Sequence, residues 1–534
     1  MFDLIVQNAT LVDGSGSAGR RADVAVADDR IAEVGDLGTA EAREWIDAAG
    51  RVVCPGFVDM HTHSDLALLL NPEAHSKVRQ GVTTEVIGNC GTSPAPFVGP
   101  MAEQIKARMS TTAPPDLVEW DWCTMGDYLG RLAEQGTALN VVGLVGHVTL
   151  RIAAMGFERR PPTDEELARM QQLLAESLRD GAFGMSTGLM TPPSSFSDTE
   201  ELVALAEVLH AHGALYFSHI RGEGRTLFRA TAEAIEIGER AGVPVEIAHH
   251  KAAFRPSWGW MPRVLTLSDW ARERGVEVNF DVYPYTAGSA GMTQLIPDWA
   301  HAGGLDALLG RLNDSGTRER IRADVDAFGR EWDRTYLTTV SSEANREYEG
   351  RHLADIAEAR GMTPTDTLFS LLLEEHGRAG MLHHIMRQDD VDAVIAHPLC
   401  TIGSDGSSLR PDGALGQGKP HPRSYGTFPR VLQEYVRERG VLRLEDAIHK
   451  MTGLAAEKLG LSERGLIERG RYADLVVFDP ATIREVSTYG DPHRYPEGID
   501  AVVVNGQIVV RNGEHTGWLP GRVLQPSSHP SPGG

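Results

Sequence analysis

The sequence has 534 residues and a mass of 58.0 kDa, enough for about three average domains or for one large barrel with a smaller companion. Asp and Glu total 74 against 51 Lys and Arg, and the resulting net charge of −23 argues against binding to nucleic acid or to anionic membranes. Hydrophobic residues make up 41% of the chain, which excludes a disordered protein, and no apolar run approaches the ~18 residues that span a bilayer.

Cysteine content and the opening residues indicate where the protein works. Four cysteines are too few for a disulfide scaffold, so we expect a reducing, cytoplasmic location. The opening MFDLIVQNATLVDG has no basic segment followed by an apolar core. It therefore predicts a strand and not a signal peptide.

The two ends of the chain share one pattern. Residues 1–55 alternate apolar and polar positions in short segments separated by Gly and Asp, which is typical of a small antiparallel sheet. The same pattern returns in residues 456–520, where Asn505-Gly506 between two apolar runs predicts a tight hairpin. We predict one small β-sandwich domain built from both ends, followed by a disordered tail over 521–534.

The central residues, 56–455, alternate short apolar runs with helical segments, which indicates a parallel sheet. One helix is expected after Thr163, where an acidic first turn opens TDEELARMQQLLAESLRDG, and TLFRATAEAIEIGERAG predicts another that ends at its glycine. Over ~400 residues this alternation predicts an α/β fold, a (β/α)8 TIM-like barrel, in preference to an open sheet. Residues 286–335 fit no strand–helix unit and predict an inserted lid.

Polar residues fall at the C-terminal ends of the apolar runs, where barrel enzymes keep their chemistry. GFVDMHTHSD places His61 and His63 two apart on one side of an extended strand, so both imidazoles can reach one metal. Cys90, His219 and Asp405 end three later runs. Taken singly, each residue has an ordinary explanation, such as a surface histidine, a buried thiol or a loop-capping aspartate. With the histidine pair of one further run, His249 and His250, metal-type ligands lie at five strand ends, and together they favour a metal site.

VPVEIAHHK places His249 and His250 after the remaining run. In extended geometry only one of the two points inward, and the other packs or binds substrate. Glu223 and His147 also lie near strand ends and are candidates to support the ligands.

Together these motifs resemble the amidohydrolase superfamily. VVCPGFVDMHTHSD, the later histidine pair, the terminal aspartate and GRYADLVVFDP carry that resemblance. GNCGTSPAP, YFSHIRGEG, AHHKAA, DVYPYTAGS, IGSDG and HPRSYGTFPR are similar, more closely, to the N-acyl-D-amino-acid deacylases, also called D-aminoacylases. The similarity runs from the first strand to about residue 517.

The resemblance implies a metal centre. A tightly held zinc would be bound by Cys90, His219 and His249, with His250 as the alternative to His249. His61 and His63 would belong to a second, weakly or partly occupied metal position, with the cysteine as a bridge.

The resemblance also implies an acid–base and a carboxylate site. Asp405 would be the catalytic acid–base. Lys251, Tyr283, Ser289 and Arg423 would recognise the substrate carboxylate, for which a guanidinium fork and an ammonium are suited. The ordinary alternatives are a surface ion pair for Arg423, a core position for Tyr283 and a solvated Lys251.

The implied activity is zinc-dependent hydrolysis of the amide bond of small N-acyl-D-amino acids, which gives a carboxylate and a free D-amino acid. Another amidase or a hydantoinase-like cyclic-amide hydrolase on the same barrel is the first alternative. It is disfavoured because no lysine occurs between Lys106 and Lys251 to supply the carboxylated lysine of many binuclear amidohydrolases. A non-catalytic binding protein is disfavoured because every candidate ligand is present. These motifs do not encode the preferred side chain, the acyl group or the oligomeric state.

Overall fold

The computed structural model describes residues 1–109 and 113–526. Its centre is a ring of parallel strands, each paired with the next. The strands are Phe57–Asp59, Val82–Ile87, Asn140–Gly143 with its continuation Val145–Gly146, Gly184–Gly188, Leu215–His219, Val245–Ile247, Val278–Val282 and Cys400–Ile402. The last strand returns to the first, where the Met60 N–H donates to the Ile402 carbonyl at 3.3 Å and Thr62 pairs with Gly406. The predicted α/β barrel is confirmed.

Helices between the strands bury their apolar faces in one continuous core with the barrel. Asp164–Arg179 begins where the sequence predicts, at Thr163, which forms a capping box with Glu166. Leu227–Ala241 ends at Gly242, whose φ of 68° suits a residue without a side chain. The other helices of this part are Ala67–Leu70, His75–Val78, Glu103–Met109, Met125–Gln135, His147–Met155, Thr199–Ala211, Met261–Glu273, Gln388–Ala396, Arg423–Arg430 with its π-helical continuation Val431–Glu438, Leu444–Met451 and Gly453–Lys458. Short 3-10 turns lie at Pro115–Leu117, Ser194–Phe196, Arg255–Ser257 and Gly413–Gly416.

Two further sheets form a β-sandwich from both ends of the chain. The four-stranded sheet contains, in spatial order, Arg30–Gly35, Asp23–Ala27, Phe2–Gln7 and Ala42–Asp47. The seven-stranded sheet contains Glu514–His515, Gln507–Arg511, Ile499–Val504, Leu475–Phe478, Val52–Pro55, Thr10–Leu11 and Arg20–Arg21. A shared apolar core that includes Val6, Val24 and Val477 lies between the sheets. The predicted sandwich is therefore present.

Side chains of the central strands of the larger sheet pack alternately into the sandwich core and into the barrel core. Val53 and Val477 belong to the sandwich core, whereas their neighbours Cys54 and Val476 belong to the barrel core. Because successive side chains of a strand point to opposite faces, one sheet closes both cores.

An inserted unit lies between the last two barrel strands and has an apolar core of its own, from Met292 to Met381. Its antiparallel strands are, in spatial order, Ala287–Gly291, Gly380–His384 and Thr335–Thr339. Its helices are Leu305–Asn313, Ser315–Ala327, Leu353–Arg360 and Pro364–Glu374, with 3-10 turns at Met292–Leu295, Asp298–His301, Trp332–Arg334 and Glu343–Tyr348. The predicted lid, residues 286–335, covers only the first half of this unit. The boundary differs because the middle strand of the sheet comes last in the chain.

The C-terminal segment differs from prediction. The Leu524 N–H donates to the Val141 carbonyl, and the Val141 N–H donates to the Arg522 carbonyl, both at 2.8 Å. Residues 521–526 are therefore not a disordered tail, because they add backbone hydrogen bonds to a barrel strand. The rest of the predicted tail, 527–534, lies outside the described residues.

The four cysteines are free thiols. Cys54 and Cys400 are buried in apolar surroundings and Cys123 is exposed, which leaves Cys90 beside other groups that bind metals. None of the helices in the described ranges has the length and apolar character needed to cross a bilayer.

Candidate functional site

Three side chains from three strand ends converge at the C-terminal mouth of the barrel. Cys90 Sγ lies 3.3 Å from His249 Nε2, and that nitrogen lies 3.1 Å from His219 Nδ1. Parallel strands bring their carboxyl ends to one edge, so residues 30 to 159 positions apart in the chain become neighbours here.

A second group of ligand atoms shares the same thiol. His61 Nε2 lies 3.3 Å from Cys90 Sγ, and the ligand atoms of His61, His63 and Cys90 all lie within 4.8 Å of one another. The ligand atoms of His61, His249 and Asp405 satisfy the same limit. The thiol therefore lies between two candidate metal positions.

The chemistry of the donor set fits a metal ion. His249 Nε2 faces two neighbours, Cys90 Sγ and His219 Nδ1, yet a ring nitrogen can donate only one hydrogen. Ligand atoms at tetrahedral positions around zinc lie about 3.3–3.8 Å apart, close to the distances seen here. Thiolate and imidazole are also the ligands that zinc prefers.

Electrostatics favour the thiolate form of Cys90. Burial alone would raise the pKa of the thiol, but the charges of His61, His249 and His219 outweigh it and hold the pKa well below its usual value. A thiolate is the metal-binding form of cysteine.

The backbone is strained at three of the converging residues. Cys90, His249 and Asp405 have φ values of 52°, 35° and 51°, in the left-handed region that residues with a side chain rarely adopt. Gly88, two residues before Cys90, has no room for a side chain, because a Cβ there would lie 2.1 Å from the Leu144 carbonyl oxygen. Such strain concentrates at functional sites.

Asp405 connects the histidines to Arg423. Its Oδ1 lies 3.0 Å from His63 Nε2, and its Oδ2 accepts a hydrogen bond from the Arg423 guanidinium at 2.8 Å. Burial alone would raise the pKa of Asp405, but Arg423, His63 and the other histidines hold it well below its usual range. The carboxylate is therefore ionised at neutral pH.

Lys251 and Glu223 lie behind the histidines. Lys251 Nζ lies 2.7 Å from His249 Nδ1 and donates to the Glu223 carboxylate, which itself lies 3.1 Å from His249 Nδ1. The lysine is thus neither solvated nor free. Glu223 therefore contacts His249, one of the predicted ligands, and its supporting role stays a prediction.

The converging groups line a cavity of about 560 Å³ between the barrel mouth and the inserted unit. Lys251, Tyr283, Ser289 and Arg423, the residues predicted to bind a carboxylate, all line this cavity. The Arg423 guanidinium lies 4.8 Å from the centre of the Tyr283 ring, and Ser289 Oγ donates to the Met381 carbonyl at 3.1 Å. Tyr283 is a buried aromatic and also a wall of the cavity.

Two histidines from the sequence analysis are not brought into the site. Both ring nitrogens of His250 are buried without a hydrogen-bond partner, and the ring packs 5.5 Å from that of Phe280. His147 hydrogen-bonds Ser194 and Glu201. The geometry thus favours His249 over His250 at the thiol.

Sequence reasoning missed Asp281. Its Oδ1 accepts a hydrogen bond from the backbone N–H of His249 at 2.9 Å, and its Oδ2 lies 3.4 Å from the ring nitrogen Nδ1 of His61. Asp281 is fully buried in the strand Val278–Val282. An acidic residue inside an apolar strand was the available signal, because buried carboxylates need partners.

A comparison with protein families decides the identity. The model of the amidohydrolase family matches residues 44–510. The chain belongs to the amidohydrolase family. This amidohydrolase is 39% identical to the D-aminoacylase of Alcaligenes xylosoxydans xylosoxydans, over 98% of its own length and 97% of the relative's.

Solved structures of similar amidohydrolases agree. A D-aminoacylase studied for its binuclear metal centre is 38% identical, with a TM-score of 0.82 over 98% of this chain and 100% of the other. The N-acyl-D-glutamate deacylase of Bordetella bronchiseptica, solved with zinc and a phosphonate mimic of the tetrahedral intermediate, is 35% identical with the same TM-score, over 98% and 99%.

Proposed function

We propose that this amidohydrolase hydrolyses N-acyl-D-amino acids with a zinc ion held by Cys90, His219 and His249. The contact of Asp405 with His63 and Arg423, beside the thiol and in a cavity of small-molecule size, is the observation that carries the proposal. Full-length similarity to a D-aminoacylase supports it. His61 and His63 would hold a second, weaker metal.

Bound zinc supplies a Lewis acid that polarises a carbonyl and lowers the pKa of water. Asp405, ionised by its contacts, accepts a proton from the attacking water. The C–N bond of the substrate then breaks, and Asp405 returns that proton to the nitrogen, so that the amine leaves neutral. Arg423 keeps the carboxylate oriented through its 2.8 Å hydrogen bond.

The free α-carboxylate of the substrate would lie among Lys251, Tyr283, Ser289 and Arg423. Arg423 donates to Asp405 through one guanidinium nitrogen, and its other N–H groups can bind the α-carboxylate of the substrate. Fixing the scissile carbonyl, the α-carboxylate and the side chain at three points distinguishes D from L substrates. The free thiols are consistent with a cytoplasmic location, which we also propose.

Amine release from paired N-acetyl-D- and N-acetyl-L-amino acids tests the proposal. We expect D-selective turnover by the zinc-loaded enzyme, and a loss of at least about a hundredfold in kcat for Asp405→Asn with unchanged zinc content. Asp121→Asn, at an exposed position, is the matched control and should retain activity. Turnover of a hydantoin without turnover of any N-acyl amino acid would instead support the cyclic-amide alternative.

A further inference from the structure

The cavity holds more positive charge than an α-carboxylate needs. Four cationic side chains line it: Arg108, Lys251, Arg330 and Arg423. Lys251 is paired with Glu223, and Arg423 is paired with Asp405. Neither of the other two arginines forms an ion pair with a carboxylate in residues 1–109 or 113–526.

Arg108 lies on the thiol side of the cavity. Its guanidinium donates a hydrogen bond, at 2.6 Å, to Thr191 Oγ1. Burial lowers the pKa of Arg108 to about 10, and the charge of Cys90 opposes that shift. No second hydrogen-bond partner of this guanidinium lies in residues 1–109 or 113–526, so a group with five N–H donors has donors to offer a ligand.

Arg330 comes from the inserted unit. It donates one hydrogen bond, at 3.2 Å, to the Leu295 carbonyl, and its guanidinium stacks 4.2 Å from the centre of the Phe328 ring. Its Nε is buried and has no hydrogen-bond partner among the described residues, and burial lowers the pKa of the side chain to about 10. Arg330 is half-buried, and a cation withdrawn from water without a counter-ion is costly, so a site of this kind is suited to an anionic ligand.

Arg108, Arg330 and parts of residues 293–301 line the same cavity. Arg330 donates a hydrogen bond to the Leu295 carbonyl of this segment. Burial, and then the charge of Arg108, lower the pKa of His301 to about 4, so this ring is neutral. Its Nε2 is buried and has no hydrogen-bond partner.

The acidic residues of the cavity wall do not neutralise these arginines. Glu223 and Asp405 are paired as described. The positive charges that act on Asp298 are those of Arg159 and Arg221. Asp65 is buried and forms no ion pair with Arg108 or Arg330 in the part of the chain that the structure describes.

We propose that Arg108 and Arg330 form an anion subsite, so that the enzyme prefers N-acyl-D-amino acids that carry a second carboxylate. The inference rests on the proposed function and names its substrate class. The second carboxylate belongs either to an acidic amino-acid side chain or to a dicarboxylic acyl group. An N-acyl-D-glutamate deacylase of the same fold shows that this family accommodates the first kind.

Matched substrate pairs test the subsite and separate the two sources. N-acetyl-D-glutamate is compared with its neutral isostere N-acetyl-D-glutamine, and N-succinyl-D-leucine with N-pentanoyl-D-leucine. We expect kcat/KM of the zinc-loaded enzyme to favour the anion by about tenfold or more in one pair, since charged hydrogen bonds are strong. The favoured pair identifies the source.

Variants assign the preference to the two arginines. Arg108→Gln, Arg330→Gln and the double variant should reduce kcat/KM for the favoured anion by about ten- to a hundredfold and leave its neutral isostere within threefold. Turnover of the neutral substrate shows that each variant is folded. Arg263→Gln, at an exposed position on a barrel helix, is the matched control and should leave the ratio unchanged.

Each outcome decides the matter. Equal kcat/KM within both pairs, or an anion preference that survives in the double variant, overturns the subsite while N-acyl-D-amino-acid hydrolysis stands. Absence of turnover for all four substrates and for N-acetyl-D-leucine overturns the proposed function and the subsite with it.

Discussion

Glu223 contacts His249, one of the three proposed zinc ligands. Its carboxylate contacts His249 Nδ1 at 3.1 Å, on the side of the ring opposite the nitrogen that faces Cys90. A carboxylate in this position fixes the tautomer of the imidazole and strengthens the ligand.

Replacing Glu223 by Gln should therefore weaken zinc binding by about ten- to a hundredfold. Competition with a chromogenic chelator measures the change directly, without reliance on activity. Glu207→Gln, at an exposed position, should bind zinc like the parent. Equal affinity in the Glu223 variant would show that the contact does not support the ligand.

At the scale of single residues, the sequence predicts which ligand-type side chains the fold brings together. His61, His63, Cys90 and His219 each follow an apolar run, and the structure places them at one end of the barrel, while their role as ligands stays a prediction. Asp281 was not predicted, since its partners come from other strands and exist only once the barrel has closed.

The barrel strand Val82–Ile87 contains one acidic residue, Glu85, in fully buried surroundings. Every residue of Val82–Ile87 is buried, and neither carboxylate oxygen of Glu85 has a hydrogen-bond partner among the described residues. Lys77 Nζ lies 3.7 Å away and is shared with Asp59. Burial raises the pKa of Glu85 to about 7, although Lys77 opposes the shift.

Stability should therefore fall with pH on account of this residue. The carboxyl binds its proton more tightly in the folded chain, so its contribution is fully present below about pH 4.5 and is lost as pH rises through 7. The advantage of Glu85→Gln over the parent in free energy of unfolding should be about 1–3 kcal/mol larger at pH 8.5 than at pH 5. Urea unfolding at both pH values measures this difference. Exposed Glu165→Gln should show no such pH dependence, and a parallel offset at both pH values would contradict the assignment.

The inserted unit should be separable in stability from the barrel, because its apolar core is distinct. Phe369 belongs to that core and is fully buried. Phe369→Ala should destabilise the unit by about 3–5 kcal/mol and open it to proteolysis, while zinc content is retained. Met362→Ala, at an exposed position of the same unit, is the control. Loss of zinc together with cleavage would show that the unit and the barrel unfold as one.

At the scale of elements, the sequence predicts the alternation of strands and helices well, but it predicts poorly where the inserted unit and the C-terminal strand pairing end. The barrel and the sandwich follow from periodicity and from the common pattern of the chain ends. The end of the inserted unit does not, because Gly380–His384 becomes a central strand only through pairing with two strands that precede it. The pairing of residues 521–526 is equally non-local.

A buried polar network joins the sandwich to the barrel. Asp474 pairs with Arg464 and accepts the Asn505 N–H at 2.8 Å. The Asn505 side chain in turn donates to Asn140 of the barrel strand at 2.8 Å. Both partners of the ion pair are about 5% exposed, so neither charge has water as an alternative.

Asp474→Asn should therefore cost about 3–5 kcal/mol of the free energy of unfolding, because it leaves the Arg464 charge buried and unpaired. Chemical denaturation followed by circular dichroism measures the loss. Asp491→Asn breaks an exposed pair with Arg494 and should cost at most about 1 kcal/mol. Equal costs for the two variants would mean that the network contributes no more than a surface contact.

The inserted unit, which lines one side of the cavity, is one continuous segment whose two ends lie side by side. Ala287 and His384 are direct partners in the antiparallel sheet, so the inserted unit leaves and re-enters the barrel at adjacent points. The candidate metal ligands and Asp405 all lie outside it. Recombination between relatives at these two points would transplant one wall of the binding cavity, Arg330 included, onto an unaltered hydrolytic centre. New substrate ranges could thus arise in this lineage by a single exchange of one continuous segment.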